Sequence, residues 1–383
     1  MEIRTHSELG RSLLTERGMQ WLHAHGGDPY ARLLRAEEDD PRALAERIRA
    51  LGPLYRSGTG AWVTGSRALG AEILGDPRLE PRVPEFGLGA VWGQGVAGPE
   101  PVSTDVGEPA GAAVLNPRAG DVERLCRAEL GRAGSTFDLV SDVVRPVLVS
   151  LVSELLAVPP GRRDTFERWC GAASIALDAV LCPPTLPRAL ALNGAVEGLR
   201  DLLAESAGSD DGTIVAGTRA CVVGVEVTTN LIANTMLALL EDPEQWRLLG
   251  ARPGSAEAAV EETLRYDPPV RLDNRVAREA LDLAGRTVTA GDEVVVHIGA
   301  ANRDAATLRS PDRFDLRRET TGGHLSLLGG TPLGSVAPMA RNSAAAVLRV
   351  LAACLPGLRR TGPVVRRLRA PVTRGIVRFP VGV

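Results

Sequence analysis

The residues of this 383-residue chain that could do chemistry are few and scattered. Glu226 is a carboxylate inside a long apolar run at residues 212–240, GTIVAGTRACVVGVEVTTNLIANTMLALL. A carboxylate in such surroundings is a candidate acid or base, but one in a core helix more often ends up hydrogen-bonded to a neighbour or a water, and that structural role is expected here. Glu262 and Arg265 stand three apart in AEAAVEETLRYDPPV. On a helix they share a face, so the carboxylate can hold the guanidinium in a bidentate pair and present it to a later part of the chain. Residues 324–341, HLSLLGGTPLGSVAPMAR, run from an apolar segment through a Gly-rich turn into a helix starting near Pro338, where proline suits a first helical turn. A Gly-rich turn before a helix is a common frame for a ligand, yet the side chains here offer only His324 at its start and Met339 beyond it.

The five cysteines, Cys126, Cys170, Cys182, Cys221 and Cys354, are odd in number, widely spaced and without a C-x-x-C pair. This argues against a disulfide framework and against zinc, and all five are expected as reduced core residues. A net charge of −3 and the absence of a basic run give no attraction to nucleic acid or to an anionic membrane. No uninterrupted apolar stretch is long enough to span a bilayer and the first residues lack a signal pattern, so a soluble cytoplasmic protein is expected. All 44 basic side chains are arginine, and aromatic residues make up only 3%, so the core has to be aliphatic.

The elements that must position these residues follow from spacing. Residues 54–56 and 61–64 flank a Ser-Gly-Thr-Gly turn and read as two short strands, with a helix over 66–74 after them. Residues 81–120 are dense in Gly and Pro and read as loop. Apolar residues at 139, 140, 143, 144, 147, 148, 151, 152, 155 and 156 predict a buried helical pair pinched at Pro146. The 212–240 run reads as a central core helix, 337–355 as another helix, and the C-terminal residues as a strand pair.

Taken together, LGPLYR…AWVTG…AEILGDPR, the 138–157 segment, E-x-x-R followed by YDPPV, RTVTAGDEVVVHIGAANRDA and PDRFDLRRE, and the Gly-rich turn before A-P-M-A-R resemble the cytochrome P-450 superfamily over essentially the whole chain. The resemblance implies a mainly α fold with small β-sheets, in one domain over residues 1–383. Its small β-rich part would cover about 50–80 and 270–300, and its helical core 120–265 and 337–356. In that family a cysteine thiolate before the helix is the protein's bond to haem iron. Aligned through A-P-M-A-R, that cysteine falls on Gly334, which has no side chain. The family's oxygen-activating threonine falls on Val227, in Val223-Gly224-Val225-Glu226-Val227, and valine neither donates nor accepts a hydrogen bond. The two basic residues that contact the haem propionates fall on Pro109 and Ala113, while Arg275 matches a further propionate-contacting arginine and is expected as a structural one.

The resemblance therefore implies a haem site that has been dismantled, with no cofactor, no metal and no catalytic residue, and a scaffold kept through Glu262 and Arg265. His324, Met339 and Cys354 offer no substitute axial ligand. Among relatives of this kind, the sequence is most similar to the auxiliary proteins of deoxysugar glycosyltransferases in actinomycete macrolide and anthracycline biosynthesis. It implies a hetero-oligomer with such a transferase, which the helper binds, stabilises and activates; no motif marks the interface residues. Two other readings remain: a haem-independent enzyme using Glu226 in the remodelled pocket, and a haem protein with a ligand other than cysteine.

Overall fold

The computed structural model describes residues 5–36, 41–82, 115–205, 211–318, 323–328 and 332–383. Residues 220–239 carry apolar side chains on every side, a pattern that is stable only where other elements surround it. They form the middle of one continuous helix, Asp211–Glu241, whose most apolar window is 94% buried. By length and composition this helix is sufficient to cross a membrane; its burial makes it instead the axis of the fold. One turn of it, Ala220–Gly224, is wound as a π turn. Its buried threonines back-bond to the carbonyls four residues earlier, Thr228 to Gly224 at 2.6 Å and Thr229 to Val225 at 2.7 Å, so their hydroxyls cost little in an apolar core.

The C-terminal helix Ala337–Cys354 crosses this axis closely. A Cβ added at Gly224 would stand 2.8 Å from the Met339 sulfur, so a larger residue there would have to push that side chain aside. The helix Ala256–Tyr266 packs on both, and all three share one aliphatic core with the helix Arg145–Leu155. That last element differs from the sequence expectation. Residues 139–155 are not pinched into two helices: a π turn, Leu139–Val144, runs straight into Arg145–Leu155. Pro146 sits in the first turn of the α-helical part, where a missing N–H does least harm.

The strands form a small region beside the helices. One five-stranded sheet runs in the order Tyr55–Arg56, Trp62–Thr64, Glu293–His297, Leu272–Ala277, Leu79–Pro81. Its pairs are antiparallel except that Trp62–Thr64 lies parallel to Glu293–His297, with Val63 opposite Val295. A three-stranded sheet places Pro380–Gly382 between Thr136–Asp138 and Arg359–Arg360, bringing the C-terminal residues back to the middle of the sequence. Four cysteines are buried as expected, but Cys354 is exposed, because it is the last residue of its helix, where the chain leaves the core.

Candidate functional site

The helix Ala256–Tyr266 organises the corner in which the sequence motifs meet. Arg265 donates to Glu262 from Nε at 2.8 Å and from Nη2 at 2.9 Å, a bidentate pair with both side chains about one-twentieth exposed. The remaining guanidinium protons go to backbone carbonyls, Pro311 at 2.7 Å and Arg313 at 3.0 Å. Glu262 in turn accepts from Arg318 Nε and from the Asp315 amide, each at 3.0 Å. A single buried ion pair thus fixes the irregular stretch 311–318, whose carbonyls and amides have no helix or sheet to satisfy them.

Its neighbour Glu261, which the sequence reading did not single out, holds the Gly-rich stretch at both ends. One carboxylate oxygen lies 3.0 Å from His324 Nε2 and the other accepts from Arg341 Nε at 2.6 Å. His324 Nδ1 accepts from the Ser326 amide, which assigns the ring proton to Nε2 and makes it the donor to Glu261. Burial pushes the Glu261 carboxyl up, but the bonds from His324 and Arg341 outweigh it and hold it at about 2. Asn302 pins the same stretch, accepting from the Leu325 amide at 2.8 Å and donating to Ser326. Only a Glu-Glu pair in sequence, with one residue facing each way, could have hinted at this clamp.

Between those clamps, Gly334 lies in a single helical turn, Pro332–Ser335, just before the C-terminal helix. Val227 is fully buried in the axial helix. Met339, one turn into the C-terminal helix, presses its sulfur onto Gly224. Arg275, 4% exposed, makes two bonds to Asp273 on its own strand, at 2.7 and 3.4 Å, and borders a space of about 50 Å³ shared with Leu333, Leu272 and Leu177. Pro109 and Ala113 lie outside the described residues. Among the described residues no three of His, Cys, Asp and Glu stand together as a metal site would need.

Glu226 is 3% exposed and has its oxygens occupied: one takes Arg145 at 2.6 Å, the other takes Arg367 at 3.0 Å and the Asn230 amide at 3.2 Å. Gly375 lets the C-terminal backbone approach, since a Cβ there would stand 3.1 Å from the same carboxylate. The arrangement joins three distant segments through one charge. Its chemistry is that of a structural ion triad.

Comparison with known proteins agrees with this architecture. Residues 255–319, which hold the Glu262–Arg265 pair and the stretch it fixes, match the family model described as Cytochrome P450. The chain is 40% identical to Protein AknT of Streptomyces galilaeus, covering 99% of this chain and 96% of that one. It is 33% identical to the Cytochrome P450 family protein EryCII of Saccharopolyspora erythraea, over 100% and 99% of the two. Among solved structures, ligand-free CYP164A2 of Mycobacterium smegmatis superposes with a TM-score of 0.76 at 27% identity, covering 93% of this chain and 99% of that one. The chain belongs to the cytochrome P450 family, and its relatives place it among the P450-like auxiliary proteins.

Proposed function

We propose that this protein is a non-catalytic helper that binds, stabilises and activates a partner deoxysugar glycosyltransferase in actinomycete antibiotic biosynthesis, acting in the cytoplasm as part of a hetero-oligomer. The observation that carries the reading is the kinship with AknT and EryCII along the chain, combined with a scaffold whose charge clamps are intact while Gly334, at the position that the resemblance gives to the iron ligand, has no side chain. A haem in this family would be held by a thiolate. Gly334 supplies none, Val227 supplies no hydroxyl, and the resemblance places Pro109 and Ala113 where the propionate partners would stand. Met339 is committed to the helix crossing and Cys354 is at the far end of its helix, so the residues present do not fit the group. Glu226, the carboxylate on which the haem-independent reading rests, is spent on Arg145 and Arg367.

A helper needs no active site of its own. A partner that binds only the folded, competent transferase stabilises that state by about 2.7 kcal/mol at a hundredfold over its dissociation constant. The test is sugar transfer by the cognate transferase, with and without this protein at equal transferase concentration. The expected result is higher activity and longer lifetime together with a complex resolvable by gel filtration. Unchanged activity and lifetime with no complex would end the proposal. Loss of activation in Glu226→Gln with the complex intact would assign the protein to the enzymes.

A further inference from the structure

The first helix, His6–His25, carries two apolar stripes, and only one of them is covered. Leu9, Leu13, Gln20 and Ala24 form the buried one. Leu9 and Leu13 pack against Ala189, and Gln20 Nε2 donates to the Leu181 carbonyl at 2.7 Å, so the helix is tied to the body along this side. One residue after Leu13, Gln20 and Ala24 come Leu14, Trp21 and His25, about 100° round the helix from them. With Leu22 they make a second stripe, at the spacing of a helix that docks by one face. Leu14 is 70% exposed, Leu22 56%, Trp21 53%, and Met19 beside them 47%.

These four side chains leave on the order of 400 Å² bare, the size at which the largest apolar patch of a monomer is often functional. Trp21 is also held in place: it lies flat on the His25 ring, with centroids 5.4 Å apart and planes 7° off parallel. A tryptophan fixed before contact loses little freedom on binding, and tryptophan is enriched among the residues that dominate interface energies. Gly18 sits within the stripe, and a Cβ there would meet nothing within 4 Å, so a partner can approach the backbone closely. Arg11 and Arg17 flank the stripe, one on each side. The acids of the helix lie off it: Glu8 accepts from the Thr5 hydroxyl at 3.1 Å in the first turn, and Glu16 is about 200° round from Leu14. Beyond Arg17 a notch of about 50 Å³, lined also by Pro183, Pro184 and Leu368, separates the helix from the C-terminal segment, where Leu368 is 75% exposed.

We propose that this face docks the partner transferase, an apolar groove of that protein with acidic side chains on its rim receiving Leu14, Trp21 and Leu22, with Leu368 as an outlying contact. The inference rests on the reading of the protein as a helper and gives that reading its interface. A second copy of this chain fits the face less well. Two copies meeting by the same patch set its flanking arginines near one another, and they cover only about 800 Å² in all, short of the 1,200 Å² or so of a stable interface. A grooved partner can close around the helix and reach Leu368 as well. A bilayer also fits less well, because two arginines, Arg11 and Arg17, and two glutamates, Glu8 and Glu16, leave the helix without the net positive charge that draws an amphipathic helix to anionic lipid.

The experiment measures binding of the full chain to the cognate transferase by biolayer interferometry, with the unfolding midpoint recorded for every variant. Leu14→Gln and Trp21→Gln place a good helix former at exposed positions, so the midpoint should hold while binding weakens by about thirtyfold or more. Arg11→Glu leaves the stripe intact and should weaken binding by about tenfold, a loss that shrinks as salt is raised. Val383→Gln, at an apolar residue 47% exposed beside the three-stranded sheet, should bind as the unaltered protein does. A complex that both glutamine variants keep overturns this inference and leaves the helper reading standing; no complex with the unaltered protein overturns that reading and the inference with it. Equal loss in Val383→Gln also overturns the inference, since the effect is then not confined to the face. Self-association of the chain alone that Leu14→Gln abolishes, with transferase binding unchanged, gives the face to a second copy. Binding to phosphatidylglycerol vesicles that Trp21→Gln abolishes, again with transferase binding unchanged, gives it to a membrane; either result overturns the proposal.

Discussion

Glu262 and Glu226 are both 3% exposed, both paired with arginine and both on helices of the same core, yet they do different work. Glu262 meets Arg265 within one helical turn, and the pair then reaches outward to fix the backbone around residues 311–318. Glu226 meets Arg145 and Arg367, 81 and 141 residues away in sequence, and the bonds run between segments that nothing local would bring together. The first region keeps an architectural device of the P450 family. In the second the carboxylate is a tie between the axial helix, the helix at Arg145 and the C-terminal segment. One pair steadies the backbone beside it, and the other ties remote segments to the axial helix.

The largest effect that can break this comparison is at the clamp. Arg265→Ala leaves Glu262 buried with a gap on one side, deprives the Pro311 carbonyl of its donor and leaves the Arg313 carbonyl to Arg318 alone. A loss of about 3–5 kcal/mol is expected from removing one partner of a buried pair, measured by urea denaturation. A midpoint equal to that of the unaltered protein would mean that Glu262 is no more than a second Glu226, replaceable by its other partners. The triad should be softer. Glu226→Gln keeps the shape and removes the charge, leaving Arg145, 26% exposed, to water, while Arg367, 17% exposed, keeps its bond to the Ser174 carbonyl at 2.7 Å. The expected cost is about 2 kcal/mol, with transferase activation intact below the lowered midpoint. A cost as large as that of Arg265→Ala would make the two regions equivalent in stability.

The same contrast explains what the sequence could reveal. The Glu262–Arg265 pair was legible because its geometry is set by helical periodicity alone, three residues to one face. The axial helix and the small strands were legible for the same reason, as apolar repeats of different period. Glu226 could be recognised only as a carboxylate in an apolar run, since its partners are chosen by how remote segments pack. The continuous helix through Pro146 was missed because a proline reads as a break unless the π turn before it is known. Cys354 was misplaced because the apolar stripe of its helix does not say where the helix leaves the core.

The smallest effect separates Glu262 from the residue beside it. Glu261 is held at about 2 by His324 and Arg341, well below its value of 4.5 in an unfolded chain. A folded-state value below the unfolded one contributes stability above about pH 4.5, and that contribution is lost as the pH falls toward 2 and the native carboxylate takes up its proton. Because the side chain is 36% exposed, solvent screening reduces the effect to about 1 kcal/mol. Urea midpoints compared at about pH 6 and pH 3 should therefore fall less in Glu261→Gln than in the unaltered protein, by the amount that the clamp supplies. The glutamine keeps one accepting oxygen for His324 or Arg341 and sets an N–H donor against the other, so the variant also loses one bond at every pH, and the difference in pH slope isolates the charge-dependent part. An unchanged pH slope would show that the stretch around Gly334 is held by Asn302 and by packing rather than by Glu261. The division of labour between adjacent glutamates, one fixing 311–318 and the other closing 324–341, would then reduce to Glu262 alone.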